Sequence, residues 1–66
     1  MKNTIRVERA ILDITQQDLA EAVGVSRQTI NSIEAGRYVP STVLALKIAR
    51  YFGKPADSIF SLNDED

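Results

Sequence analysis

Between residues 27 and 38 the chain gathers side chains suited to paired hydrogen bonding: Arg27, Gln28, Asn31, Ser32, Arg37 and Tyr38. A guanidinium presents a fork of donors that matches guanine O6 and N7, and a glutamine amide matches adenine N6 and N7. Arg27 and Gln28 could each read a base edge in this way, for about 1–3 kcal/mol of discrimination. Asn31 and Ser32 are further candidates, and the competing reading of all four is a solvated helix face. Gln16 opens another segment, at a point where free backbone N–H groups and a helix dipole favour an anion such as a phosphate oxygen. A capping contribution is its plainer alternative. Arg37 and Tyr38 could hold further phosphates, which fix register without reading sequence; Tyr38 could equally pack onto the fold.

Other chemistries find little support. The chain has no Cys and no His, which excludes disulfides, thiolate sites and imidazole ligands. Asp13, Asp18 and Glu21 read as loop, cap and solvated-face residues, and Ser26 and Ser41 as caps. There is no Gly-rich phosphate loop and no nucleophile–base pair. No enzymatic activity, cofactor or metal is expected.

The elements that must position these residues follow from periodicity and punctuation. Residues 4–12 read as a first helix, with Ile5, Val7, Ile11 and Leu12 mostly on one side. Thr15 with Asp18 three residues on resembles a capping box, opening a second helix over 16–23 that buries Leu19, Ala20 and Val23. Gly24 stops it, Ser26 caps a third helix over 27–35, and Gly36 ends that one. Two short helices joined by a Gly-containing turn are the helix-turn-helix signature. Ser41 caps a fourth helix through Phe52 with Ala45, Ile48, Ala49 and Phe52 as its stripe. Pro55 to Phe60 reads as a short fifth. The expected architecture is all-α, a compact five-helix orthogonal bundle.

Length and charge bound the rest. A 66-residue chain is one domain and buries only about 60% of its unfolded surface, so association with a second copy is an expected aid. The domain is expected over 1–63, with the helix-turn-helix at about 15–35 and a solvated acidic tail at 64–66. Net charge is −1, yet residues 1–63 carry eight basic against six acidic side chains. That balance permits a nucleic-acid partner and no more. No apolar run reaches the length of a membrane span and no signal-peptide stretch is present, so no membrane contact and a cytoplasmic location are expected.

The ordered set Thr15-Gln16-Gln17-Asp18-Leu19-Ala20, Val23-Gly24-Val25-Ser26-Arg27-Gln28-Thr29-Ile30, Ile33-Glu34-Ala35-Gly36, then Pro40, Leu46, Ile48 and Ala49, resembles the lambda-repressor/Cro-like (XRE-type) family of helix-turn-helix regulators. The resemblance implies a five-helix bundle whose third helix enters the major groove of double-stranded DNA while the second crosses the backbone. It implies base contacts at Arg27, Gln28 and Ser32, and a structural ion pair between Arg9 and Glu34. It also implies a homodimer acting as a transcriptional repressor or activator. Leu44 and Tyr51, seven apart on the fourth helix, with Phe60 and Leu62 would supply the two-fold interface, or else cover the edge of the core. Such a dimer sets two recognition helices about 34 Å apart on a palindromic operator. The alternative is a protein-interaction module, such as an antitoxin or adaptor.

Overall fold

Three of the helices start where a side chain takes one of the first free N–H groups. The computed structural model describes all residues 1–66. Its elements are β1 (Lys2–Asn3), α1 (Ile5–Leu12), α2 (Gln16–Val23), α3 (Arg27–Glu34), α4 (Thr42–Phe52), α5 (Ala56–Ile59) and β2 (Phe60–Ser61). Thr15, Ser26 and Ser41 each accept the N–H three residues on, from Asp18, Thr29 and Leu44. At Thr15 the box is reciprocal, since its own N–H donates to the Asp18 carboxylate at 3.0 Å. Such caps are worth about 1 kcal/mol each.

The core contains Ile5, Leu19, Ala20, Val23, Ile30, Ile33, Leu44, Ile48, Ala49, Ile59 and Phe60. α2 packs on α3 and α4, and α4 packs on α5. Gly24 adopts φ 79°, so the chain leaves α2 at once and enters α3 after Val25 and Ser26. Asp13 takes the same left-handed region at φ 55°, where it ends α1. A short polar side chain tolerates that conformation better than most.

Three expectations are corrected. Val7, Ile11 and Leu12 do not face the core and are 56%, 67% and 49% exposed. The inward face of α1 instead carries Ile5 and the carboxylate residue Glu8, which accepts a hydrogen bond from Lys54 Nζ at 2.8 Å. Charged residues can occupy a buried face when each meets a partner, and apolarity alone then picks the wrong side of the helix. On α4 the buried stripe is Leu44, Ile48 and Ala49, with Ala45 and Phe52 only packed at its margin. Finally, α5 ends at Ile59 because Phe60 is extended, pairing with Asn3 across an antiparallel β1–β2 ladder.

That ladder also draws in the C-terminal residues. Asp66 accepts the N–H of Asn63 at 2.7 Å and lies 3.2 Å from the amine of Met1, so the solvated acidic tail is turned back on the fold. The Asn63 hydrogen bond, and after it the amine, hold the Asp66 carboxyl below its ordinary value of 3.8. A depressed folded value means this contact is present above the unfolded value and is lost as pH falls through the folded one.

Ile48 is wholly enclosed at the centre of α4. Ile48→Ala is expected to cost about 2–5 kcal/mol, a large share of the stability of a small domain. Urea unfolding followed by circular dichroism checks this; a loss under about 1 kcal/mol would mean the centre of the core lies elsewhere.

Candidate nucleic-acid interface

The exposed polar face of α3 arises because Ile30 and Ile33 take the inward positions and leave 27, 28, 31 and 32 outside. Arg27 and Gln28 are exposed, while Asn31 and Ser32 are half-buried. Neither Arg27 nor Gln28 spends a side-chain donor inside the chain, and with Asn31 they line one shallow depression. A second shallow groove beside it is lined by Ser26, Gln28, Thr29, Ser32, Arg37 and Tyr38. The structure thus gathers six of the seven expected contact residues along one continuous surface.

Arg37 reaches this surface because of how α3 ends. The N–H of Arg37 donates to Ser32 O at 2.9 Å and that of Gly36 to Ile33 O at 3.0 Å. This is the Schellman arrangement, which needs a left-handed residue, and Gly36 supplies it at φ 76°. The chain therefore doubles back, and Arg37 Nη2 donates to Asn31 Oδ1 at 3.1 Å. The contact engages one lone pair of the Asn31 amide oxygen and leaves both amide N–H groups to an outside partner, an arrangement that sequence spacing does not reveal.

The seventh residue, Gln16, is half-buried at the first position of α2 and is joined to a polar hub. Glu34 Oε2 accepts from Arg9 Nε at 2.6 Å and Oε1 from Arg9 Nη2 at 3.0 Å. Gln16 Nε2 donates to the same Oε1 at 3.2 Å. Arg9 Nη1 also donates to Ile14 O at 3.1 Å, and Arg6 Nε stands 3.9 Å from Glu34 Oε1. The Glu34 side chain is only 4% exposed, so its charge depends on these donors. The side-chain hydrogen bond with Glu34, and then its charge, raise the Arg9 guanidinium above its usual value against the opposing effect of burial. The sequence points Gln16 to a phosphate contact or a capping contribution; its tie to Glu34, 18 positions away, is not legible from local spacing.

The expected two-fold surface is not one surface. Leu44 and Phe60 are 8% exposed and belong to the core, because α4 is rotated from the expected stripe and Phe60 is drawn into β2. Tyr51 is half-open in a groove with Glu21, Ala22, Lys47 and Arg50, and Leu62 is exposed beyond β2. A different apolar groove is present instead, lined by Val39, Pro40, Ala45, Leu46 and Phe60 among others.

Two short helices packed across each other, a Gly-containing turn between them and a polar outer face on the second define a helix-turn-helix domain. The chain belongs to the helix-turn-helix family, whose profile matches residues 5–59. It is 50% identical over its whole length to an uncharacterized HTH-type transcriptional regulator of Methanocaldococcus jannaschii, all of which is covered. It is 46% identical to the uncharacterized HTH-type transcriptional regulator YgzD of Bacillus subtilis, with both chains covered in full. A third such regulator, from Methanothermobacter thermautotrophicus, is 52% identical across the whole chain and 96% of its own length. The family is one of regulators, and the chain is not an enzyme. No helix is long and apolar enough to cross a membrane.

The Arg9–Glu34 pair sets the geometry of this end of the domain. Arg9→Met, which leaves the carboxylate buried and short of two donors, is expected to cost about 3–5 kcal/mol. The paired Arg9→Met/Glu34→Met variant is expected to be close to wild type. Denaturant unfolding of both variants measures the difference; equal losses would show that packing, and not charge, is what Arg9 contributes.

Proposed function

We propose that the chain is a sequence-specific double-stranded-DNA-binding transcriptional regulator, a dimeric repressor that seats α3 in the major groove of a palindromic operator. The observation that carries this reading is the free Arg27 and Gln28 pair on the outer face of α3, at the end of the helix nearest the turn. Base edges are read by Arg27, Gln28, Asn31 and Ser32, and phosphates are held by Gln16, Arg37 and Tyr38. Residues 1–63 form the binding domain, and the acidic 64–66 segment, held against Asn63 and Met1 through Asp66, takes no part in the reading. The second copy is seated on the apolar groove at Val39 and Leu46, both exposed, with Leu62 and Tyr51 nearer the edges. Two protomers then place their recognition helices about 34 Å apart, on successive major-groove faces.

A second reading, a module whose main partner is another protein, is favoured by one observation. Val7 and Ile11 expose a small apolar face on α1, at a distance of one helical turn from each other. Co-purification of a stoichiometric protein that covers Val7 and Ile11 would support it.

Fluorescence anisotropy with DNA from upstream of the chain's own gene, against scrambled duplex of equal length, tests the first reading. Specific binding is expected to be tighter by about 10³ or more. Gln28→Ala is expected to lose about 1–3 kcal/mol on the preferred site and to relax base preference there. Arg37→Ala should weaken binding to every duplex and reduce the salt slope by about one, with any change in base preference confined to the base pair read by Asn31, whose Oδ1 it releases. Unchanged affinity and preference in Gln28→Ala would remove α3 as the reading element.

Leu46→Glu places a charge in the apolar groove without touching the reading face. It is expected to sediment as a monomer and to bind half-sites without cooperativity. Sedimentation as a dimer would move the two-fold surface off this groove.

A further inference from the structure

Gln16 and Glu34 meet in a way that a phosphate contact by Gln16 alone does not require. A carboxylate only accepts hydrogen bonds, whereas a glutamine amide has a donor end and an acceptor end. Glu34 Oε1, 3.2 Å from Gln16 Nε2, therefore selects the donor end of the amide. The nitrogen carries two N–H groups, and the second makes no hydrogen bond within the chain. A bare buried carboxylate next to the start of α2 would repel an anion. Here the bidentate Arg9 offsets its charge, and the exposed Arg6 stands 3.9 Å from the same oxygen. Asp18 is also at this helix end, where its carboxylate accepts the N–H of Thr15 at 3.0 Å.

We propose that Glu34 is a positioning residue for backbone phosphate. It holds the Gln16 amide by one N–H so that the other is aimed, with the free backbone N–H groups of the first turn of α2, at a phosphate oxygen of the duplex. The proposal rests on the DNA-binding reading above and deepens it. Glu34 does not touch DNA; it acts through Gln16. Arg9 serves the same end by making the buried carboxylate tolerable. An amide fixed before binding has less freedom to lose, which corresponds to about 3- to 10-fold in affinity for one long side chain. The effect is blind to sequence, because every duplex offers the same phosphates.

The test is a cycle of four proteins: wild type, Gln16→Met, the paired Arg9→Met/Glu34→Met variant, and the triple variant. The paired change leaves net charge unaltered and removes both buried charges together. Binding to a mixed-sequence duplex at low salt is measured by anisotropy, with folding checked by thermal melting. Gln16→Met is expected to bind about tenfold more weakly, as for the loss of a hydrogen bond to a charged group. The paired variant is expected to bind 3- to 10-fold more weakly, and the triple no more weakly than Gln16→Met. Losses that multiply in the triple variant, or a paired variant with wild-type affinity, overturn the positioning role. An unaffected Gln16→Met also overturns it while leaving the DNA-binding reading standing. Only a wild-type chain that binds no duplex would remove both.

Should the paired variant fail to fold, the side-chain amide protons of Gln16 in the wild type decide the matter by NMR. One is expected to exchange slowly with water both in the free chain and in the complex, while the other shifts when duplex is added. Two protons that exchange alike in the free chain, or loss of protection on binding, overturn the proposal.

Discussion

Three helices of this domain meet at one buried carboxylate. Glu34 ends α3, and its two oxygens draw in Arg9 from α1 and Gln16 from the start of α2. Taking such a charge out of water costs several kcal/mol, and only good geometry with every lone pair engaged offsets it. No buried side-chain polar atom in the domain lacks a partner. The apolar core brings the helices together, but an apolar contact tolerates sliding and a bidentate guanidinium pair does not. The angle at which α3 emerges from the domain therefore depends on a polar contact as much as on Ile30 and Ile33.

The polar outer face of α3 is bounded at both ends by devices that terminate the helix. Ser26 caps the start of α3 by accepting the N–H of Thr29, and the Arg27 and Gln28 side chains lie exposed beside it. At the other end Gly36 turns the chain back and lays Arg37 against Asn31. These terminal devices are local, so they survive changes elsewhere in the fold and keep the polar side chains on one surface. The capping box at Thr15 does the same for α2, leaving the first-turn N–H groups beside Gln16 open to an anion.

Local devices were also what the sequence made legible. Thr15 with Asp18, Ser26, Ser41, Gly24 and Gly36 all act within about four residues of where they sit, so residue type and short spacing suffice to place α2, α3 and the turn. Contacts between distant positions were not legible. Glu8 is buried because Lys54, 46 residues away, reaches it, and so the inward face of α1 was assigned to Val7 and Ile11. The two-residue strands are too short for alternation to register, so Phe60 reads as the end of a helix and not as a strand residue paired with Asn3. Leu44 was misplaced for a related reason: the stripe through Ala45 is as regular as the one through Leu44, and only packing against the other helices selects between them.

The corrections to α1 and α4 bear on how a domain this small divides its apolar residues. Eleven side chains make the core, and an appreciable further set, including Val7, Ile11, Val39, Val43, Leu46 and Leu62, stays in solvent. Burying these on the inside would need a longer chain, because surface rises too steeply relative to volume at this size. They are spread over several elements, so no single partner covers all of them. A second copy on the Val39–Leu46 groove leaves the α1 face open, and a protein on α1 leaves the groove and the polar face of α3 open. The surfaces proposed for a second copy, for another protein and for DNA are thus separate ones on the same small bundle.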